Sequence, residues 1–254
     1  MVEKETVLEA FQKFVTSTDG WYPHINGDNY VIYMKPSTRR TKSIKAQIWV
    51  EGIDLDKLFN FIIDNELSKR WDMFCINCVS LYKIGFEGDI VYYSMKLPSP
   101  LKNRDTLAIR FWDKTKNGFV VASTSIDHED YPKTDKYVRM NSYINGFMVR
   151  KDETGRVWID TAMNVDPCGN VPAWMINILM PRLWKQFYAR FFEVYNEYVA
   201  STTSRNLESR SFVRKLQKKE QVCPKKIKKI YLYDILDNVT EGPFYDCYTD
   251  STSR

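Results

Sequence analysis

Between Pro172 and Ser201 the chain carries about thirty residues of helical periodicity that are apolar on two faces. Ile176, Leu179, Leu183, Phe187, Val194 and Tyr198 form one stripe; Trp174, Ile178, Pro181, Trp184, Tyr188, Phe191 and Tyr195 form a second. A helix that meets water on one side needs only one apolar face, so this one has to be covered on both. Pro172 suits a first helical position, where the missing N–H would have had no helical partner. Pro181 removes an internal hydrogen bond and predicts a break in the first turns. The stretch reads as either the core helix of an α+β domain or a lid between an internal cavity and a membrane.

The residues before it supply the cover. Residues 81–85, 89–97, 106–113, 119–126, 137–150 and 157–165 read as strands, separated by Gly85 to Gly88, Pro98 to Pro100, Asn117-Gly118, Pro132 and Thr154-Gly155. Mostly short connections predict an antiparallel meander rather than βαβ units. Upstream, residues 2–16 place Val7, Leu8, Phe11, Phe14 and Val15 at helical spacing, and Asp19-Gly20 ends that element. Residues 21–35 and 42–50 read as two strands. Asp54 is a candidate N-cap for a helix with Leu58, Phe59, Ile62 and Ile63 on its core face, and a second short helix reaches Trp71-Asp72. The expected class is α+β, with a curved antiparallel sheet wrapped around the C-terminal helix.

Several functions are disfavoured by what the chain lacks. Five cysteines among 254 residues are an odd, scattered set, not a disulfide framework. Cys75 and Cys78 form a lone CxxC, and His24 and His128 complete no zinc site, so no metal or cofactor is expected and the thiols read as buried structure. His128, in Asp-His-Glu-Asp, reads as a surface residue with no nucleophile assigned to it, and no Gly-rich phosphate loop is present. An enzyme is therefore not expected, a cyclase-type activity being the exception kept open. The start of the chain is charged within three residues, and no apolar run approaches eighteen. These features read as a cytoplasmic, peripherally membrane-associated protein, expected as a monomer.

The net charge of +5 is concentrated at one end. Residues 1–201 carry +1, residues 205–229 carry +8 and residues 230–254 carry −4. This divides the chain into a body, 1–201, expected to fold alone, and a charged extension, 202–254. The basic block gains about 1 kcal/mol per charge beside an anionic leaflet. Nucleic acid is the weaker partner, and a solvated extension is the remaining alternative.

Four spaced motifs resemble the START lipid-transfer domains. They are residues 96–105 (KLPSPLKNRD), residues 67–72 (LSKRWD), residues 125–132 followed by Val138-Arg139 through Gly146, and residues 166–174 (DPCGNVPAW). The resemblance spans residues 1–201 and implies a helix-grip fold with a tunnel for one lipid. In the choline-lipid carriers of that family, aromatic rings cage the headgroup, because a quaternary ammonium is attracted to ring faces. By position, cage members fall on Tyr93 and Tyr143, beside Met95, with a polar neighbour at Asn145. A third aromatic falls on Thr106 and the phosphate arginine on Ser68, both departures, with Arg70 close by and Asp72 retained. The sterol-binding members pair a tunnel arginine, here Arg110, with a glutamate. No acid lies between Ile90 and Asn103, so Arg110 is expected to face solvent or an anionic ligand. The resemblance thus implies a phospholipid carrier, phosphatidylcholine favoured, with a lipid-responsive module that binds without transferring as the alternative. Trp174, Met175 and Ile178 are expected to form the lid, and Pro181 its hinge.

Overall fold

A computed structural model describes residues 3–36, 41–204 and 226–232. Helix α1 (Lys4–Thr16) leads into the hairpin β1 (Tyr22–Asn26) and β2 (Tyr30–Lys35), then β3 (Ser43–Val50). Two short helices follow, α2 (Leu55–Ile63) and α3 (Asn65–Trp71). The meander comprises β4 (Cys75–Lys83), β5 (Gly88–Met95), β6 (Arg104–Thr115), β7 (Gly118–His128), β8 (Val138–Arg139), β9 (Asn141–Lys151) and β10 (Val157–Asp166). Helix α4 (Ala173–Ser204) closes the body, and β11 (Ile227–Ile230) follows.

The strands join in the order β1-β2-β3-β10-β9-β7-β6-β5-β4. Every neighbouring pair on that path is antiparallel. The pairing of β3 with β10 joins the N-terminal strands to the last strand of the meander. One face of the sheet buries Ile44, Val121 and Ile159 against α2 and α4, through Phe61, Trp184, Phe191 and Tyr195. The other face buries Ile109, Val120 and Ile144 against Val7, Leu8 and Phe11 of α1. The doubly apolar helix is thus gripped between the sheet and α2–α3, and the expected helix-grip architecture is the one observed. Rings meet edge-on where α4 crosses the short helices: Phe61 to Phe191 at 5.0 Å and Trp71 to Phe187 at 5.2 Å. Such pairs add roughly 0.5–1.5 kcal/mol each beyond the area they bury.

Local chemistry explains most element ends. The Asp54 carboxylate accepts from Lys57 N at 2.9 Å, and Asp64 caps α3 through Glu66 N and Leu67 N. Gly20 supplies the left-handed residue (φ 66°) in the turn after α1. Three expected elements divide differently. Residues 21–35 form a hairpin rather than one strand, because Gly27 N donates to Tyr30 O at 2.8 Å. The strand expected from residue 81 begins at Cys75. Residues 137–150 break at Met140, whose N–H bonds Asp105 O while β8 pairs parallel with β6.

Part of the charged extension packs on the body. β11 pairs antiparallel with the end of β7, Leu232 is fully buried beside α1, and Tyr231 is 7% exposed. Lys226 pairs with Asp130 at 2.8 Å and Lys228 with Glu129 at 3.7 Å, so these lysines of the basic block meet the protein's own acidic loop. Residues 205–225 and 233–254, and the turn at 37–40, lie outside the described residues.

Candidate functional site

The pleat of β5 and β6 builds one wall of an internal cavity of about 330 Å³. Val91, Tyr93 and Met95 alternate on β5, and Arg104, Thr106, Ala108 and Arg110 alternate on β6. Ser142, Asn145 and Phe147 of β9, with Thr161, Met163 and Val165 of β10, continue the surface round the sheet. Ile62 of α2, Ser68 of α3, and Ile176, Leu183, Trp184 and Phe187 of α4 close it. The lining is mostly apolar, with a few polar groups on the β5–β6 side. Small-molecule and lipid sites have this character.

Tyr93 Oη donates to Asp72 Oδ2 at 2.6 Å, while Phe74 N donates to Asp72 Oδ1 at 2.9 Å. Burial pushes the Asp72 carboxyl above the usual carboxylate range, and those donors offset only part of the shift. Burial, then the neighbouring carboxylate, push the Tyr93 phenol well above its ordinary value. The folded state therefore holds the Asp72 proton more firmly than the unfolded chain. Its contribution to stability falls as pH rises from the unfolded value through the raised folded value. We expect Asp72→Asn to melt at a higher temperature than wild type at pH 7, with the difference shrinking toward pH 4. A variant that melts lower at pH 7 would show Asp72 to be a net structural contributor.

Arg110 corrects a sequence expectation. It faces neither solvent nor an empty cavity wall, because Asp89, its cross-strand partner, meets it in two bonds of 2.9 Å. Asp89 lies one residue before the interval in which no acid was found. Burial pulls the Arg110 pKa down and Asp89 more than offsets it, so the guanidinium is neutralised in place. Arg110 lines the cavity as half of an ion pair and calls for no anion from a ligand.

The other expected residues divide. Tyr93, Met95, Asn145, Asp72 and Arg110 come together around the cavity. Arg70 does not; it is on the outer surface, bonded to Glu197 of α4. Tyr143 does not either. Counting by twos from Asn145 places it inside, but the β9–β10 register shifts between Asn164 and Val165, which pair with Ile144 and Ser142. Tyr143 is the extra residue of a bulge, and a bulge turns its side chain to the other face. Ser142 lines the cavity instead, and the Tyr143 ring packs against Tyr231 at 6.1 Å. Among the expected lid residues, Trp174 is 62% exposed, Met175 and Ile178 are half-buried, and Pro181 is buried within a helix that continues through it. Leu179, 39% exposed, extends the apolar surface beyond those named from sequence.

Arg104 and Ser142 are among the cavity residues that the sequence did not single out as ligand contacts. Arg104 was visible only as half of an Arg-Asp motif, and Asp105 in fact pairs with Arg139. His128 is also corrected: it is 3% exposed on β7, between Tyr82 and Tyr131 and under Ile227. The CxxC thiols are held protonated by burial first, Cys75 pushed up to about 12 and Cys78 to about 11. Neither is poised as a thiolate nucleophile.

A family description, START domain, matches residues 2–201. The chain belongs to the START domain family. START domain-containing protein 10 of Mus musculus is 26% identical over 165 residues, covering 56% of this chain and 57% of that protein. Phosphatidylcholine transfer protein of Rattus norvegicus is 29% identical over 127 residues, covering 47% and 57%. These matches span little more than half the length of either START relative. The crystal structure of human STARD10 superposes with a TM-score of 0.80 at 19% identity, covering 89% of this chain and 94% of that one. Human StAR-related lipid transfer protein 5 gives 0.70 at 17% identity, covering 77% and 95%. At those identities the likeness shows the START fold alone. No described helix of this START protein is long and apolar enough to cross a membrane.

Proposed function

We propose that this START domain binds one phospholipid in its internal cavity and carries it between membranes. The observation that carries the reading is an apolar cavity under α4 whose wall holds the Tyr93–Asp72 pair. Exposing two acyl chains of some 30 methylenes costs on the order of 20 kcal/mol at about 0.8 kcal/mol each. An apolar site removes that penalty in transit to the extent that it covers the chains. The Tyr93 ring and the Asp72 carboxylate suit a cationic headgroup, through cation–π attraction and charge. The name of the phosphatidylcholine-transferring relative favours choline, and the departures at Ser68 and Thr106 leave room for ethanolamine. Chemistry on the lipid is not part of the reading.

Trp174, Met175, Ile178 and Leu179 present more apolar surface than one core face needs, in the first turns of the helix that roofs the cavity. These turns meet the bilayer, and Pro181 marks where they part from the remainder of α4. Interfacial insertion is driven by apolar area and reversed by charge. Met175→Glu should slow phosphatidylcholine transfer between vesicles at least tenfold, or about 1.4 kcal/mol, while preloaded lipid stays bound. Normal transfer by the substituted protein would sink the lid. Mass spectrometry of lipid extracted from the purified protein tests the ligand itself, and a protein that carries no phospholipid would end the reading. A module that senses without carrying would bind lipid in that assay yet move none to acceptor vesicles.

A further inference from the structure

Three arginines with little exposure sit on the sheet, and only two have a counter-ion among the described residues. Arg110 pairs with Asp89 and Arg139 with Asp105. Arg104, 2% exposed, is held by backbone carbonyls instead. Its Nε donates to Pro167 O at 2.7 Å, one terminal nitrogen to Cys168 O at 2.9 Å, and the other to Lys102 O. A guanidinium has five N–H donors, so two remain, and it cannot discard its proton to escape burial. An uncompensated buried charge is costly. Arg104 lines the cavity, where a ligand can supply the missing anion.

A second group lining the cavity, on β9, is also unsatisfied. Ser142 is 6% exposed and lines the cavity, and its Oγ has no hydrogen-bond partner among the described residues. Its own N–H bonds Ser125 Oγ, which also meets Thr106 Oγ1 at 2.8 Å. Thr106 stands opposite Tyr93 across β5–β6, and Arg104 is two residues along on the same face. Diagonal neighbours of that kind lie about 7–8 Å apart. A zwitterionic headgroup with its cationic end at Tyr93 and Asp72 would bring its phosphodiester toward Arg104.

We propose that Arg104 and the Ser142 hydroxyl form the anion subsite of the cavity, taking the phosphodiester oxygens of the bound lipid. This rests on the phospholipid reading and sharpens it, since it places the phosphate contact on β6 and β9 rather than on α3, where Ser68 stands. Fixed donors aimed at a phosphate inside a low-dielectric cavity discriminate strongly against a ligand that leaves them unpaired.

The test compares uptake of phosphatidylcholine and of diacylglycerol with the same acyl chains, each from neutral vesicles, by the full chain. Arg104→Gln should lose at least tenfold in phosphatidylcholine uptake while diacylglycerol uptake changes less than twofold. Equal loss of both would make Arg104 a structural residue and overturn the subsite. Because Arg104 also ties two loops together, Ser142→Ala is measured beside it; that change removes only an unsatisfied buried hydroxyl. It should lower phosphatidylcholine uptake two- to fivefold with diacylglycerol unchanged, and no change would overturn the role of Ser142. Inorganic phosphate alone, at millimolar concentration, should not raise the melting temperature. A rise matching that given by phosphatidylcholine would assign the site to free phosphate instead. If the wild-type chain takes up neither lipid, the phospholipid reading fails with the subsite; if it takes up both and neither variant discriminates, the subsite alone fails.

Discussion

Asp89→Asn should destabilise the fold by about 4 kcal/mol, since removing one partner of a buried ion pair leaves the other charge uncompensated. Asp89 is fully buried and holds Arg110 through two bonds of 2.9 Å. The bond from Arg110 to Ile63 O at 3.3 Å cannot replace a carboxylate. For a domain of this size the change corresponds to roughly 10 °C in melting temperature. The double variant Asp89→Asn/Arg110→Met removes both charges and should recover most of the loss, because an apolar replacement of a buried pair is often neutral or better. Thermal melts of the two variants decide it. A double variant as unstable as the single one would mean that the network round Ile63, not the charge balance, carries the effect.

Ending the chain after Ser204 should lower stability by roughly 2–4 kcal/mol, in the range for emptying one large apolar site. Leu232 occupies the buried cluster formed by Val7, Leu8, Phe11 and Ile126, and Tyr231 covers Tyr143 while bonding Asp127 at 3.0 Å. The truncated body should still fold, as its two clusters are otherwise intact. Leu232→Ala should approach the same loss and not exceed it, because the strand can undock once docking costs more than it returns. Hydrogen exchange at residues 126–128 reports the event directly, since β11 lies over them. A truncated chain that melts like the full one would show the strand to be loosely held. The paired lysines add little in either case, as exposed ion pairs are worth about 0–1 kcal/mol.

What the sequence made legible follows from periodicity. The α4 stripes, the core faces of α1 and α2 and the spacing of Gly and Pro breakers are local signals, and each led to an element where it was expected. Pairing register is not local. Nothing in residues 88–110 announces that Asp89, one position before the acid-free interval that begins at Ile90, stands opposite Arg110. The β9 bulge has the same origin: strict alternation puts Tyr143 beside Asn145, and one slipped pair against β10 exchanges it for Ser142. The Asn26-Gly27-Asp28 turn was in plain view, yet the flanking Tyr, Ile and Val residues masked it as one long strand. β11 was hidden because charge dominates Lys225 to Lys229, while the residues that dock it, Ile227, Ile230 and Leu232, are few and widely spaced. The family resemblance named Tyr93 and Asp72 separately, and their contact, which joins β5 to the end of α3, is visible only in the fold.

Leu232 and the first helix share one buried cluster, so the described chain begins and ends on the same face of the sheet. Joining residue 232 to Lys4 through a short flexible linker and opening the chain at Phe86, 90% exposed between β4 and β5, would permute the order of the elements while keeping every strand pair. Exposed turns of that kind tolerate new ends well. In such a permutant α2 and α3, which grip α4 in the fold, would follow it in the chain instead of preceding it.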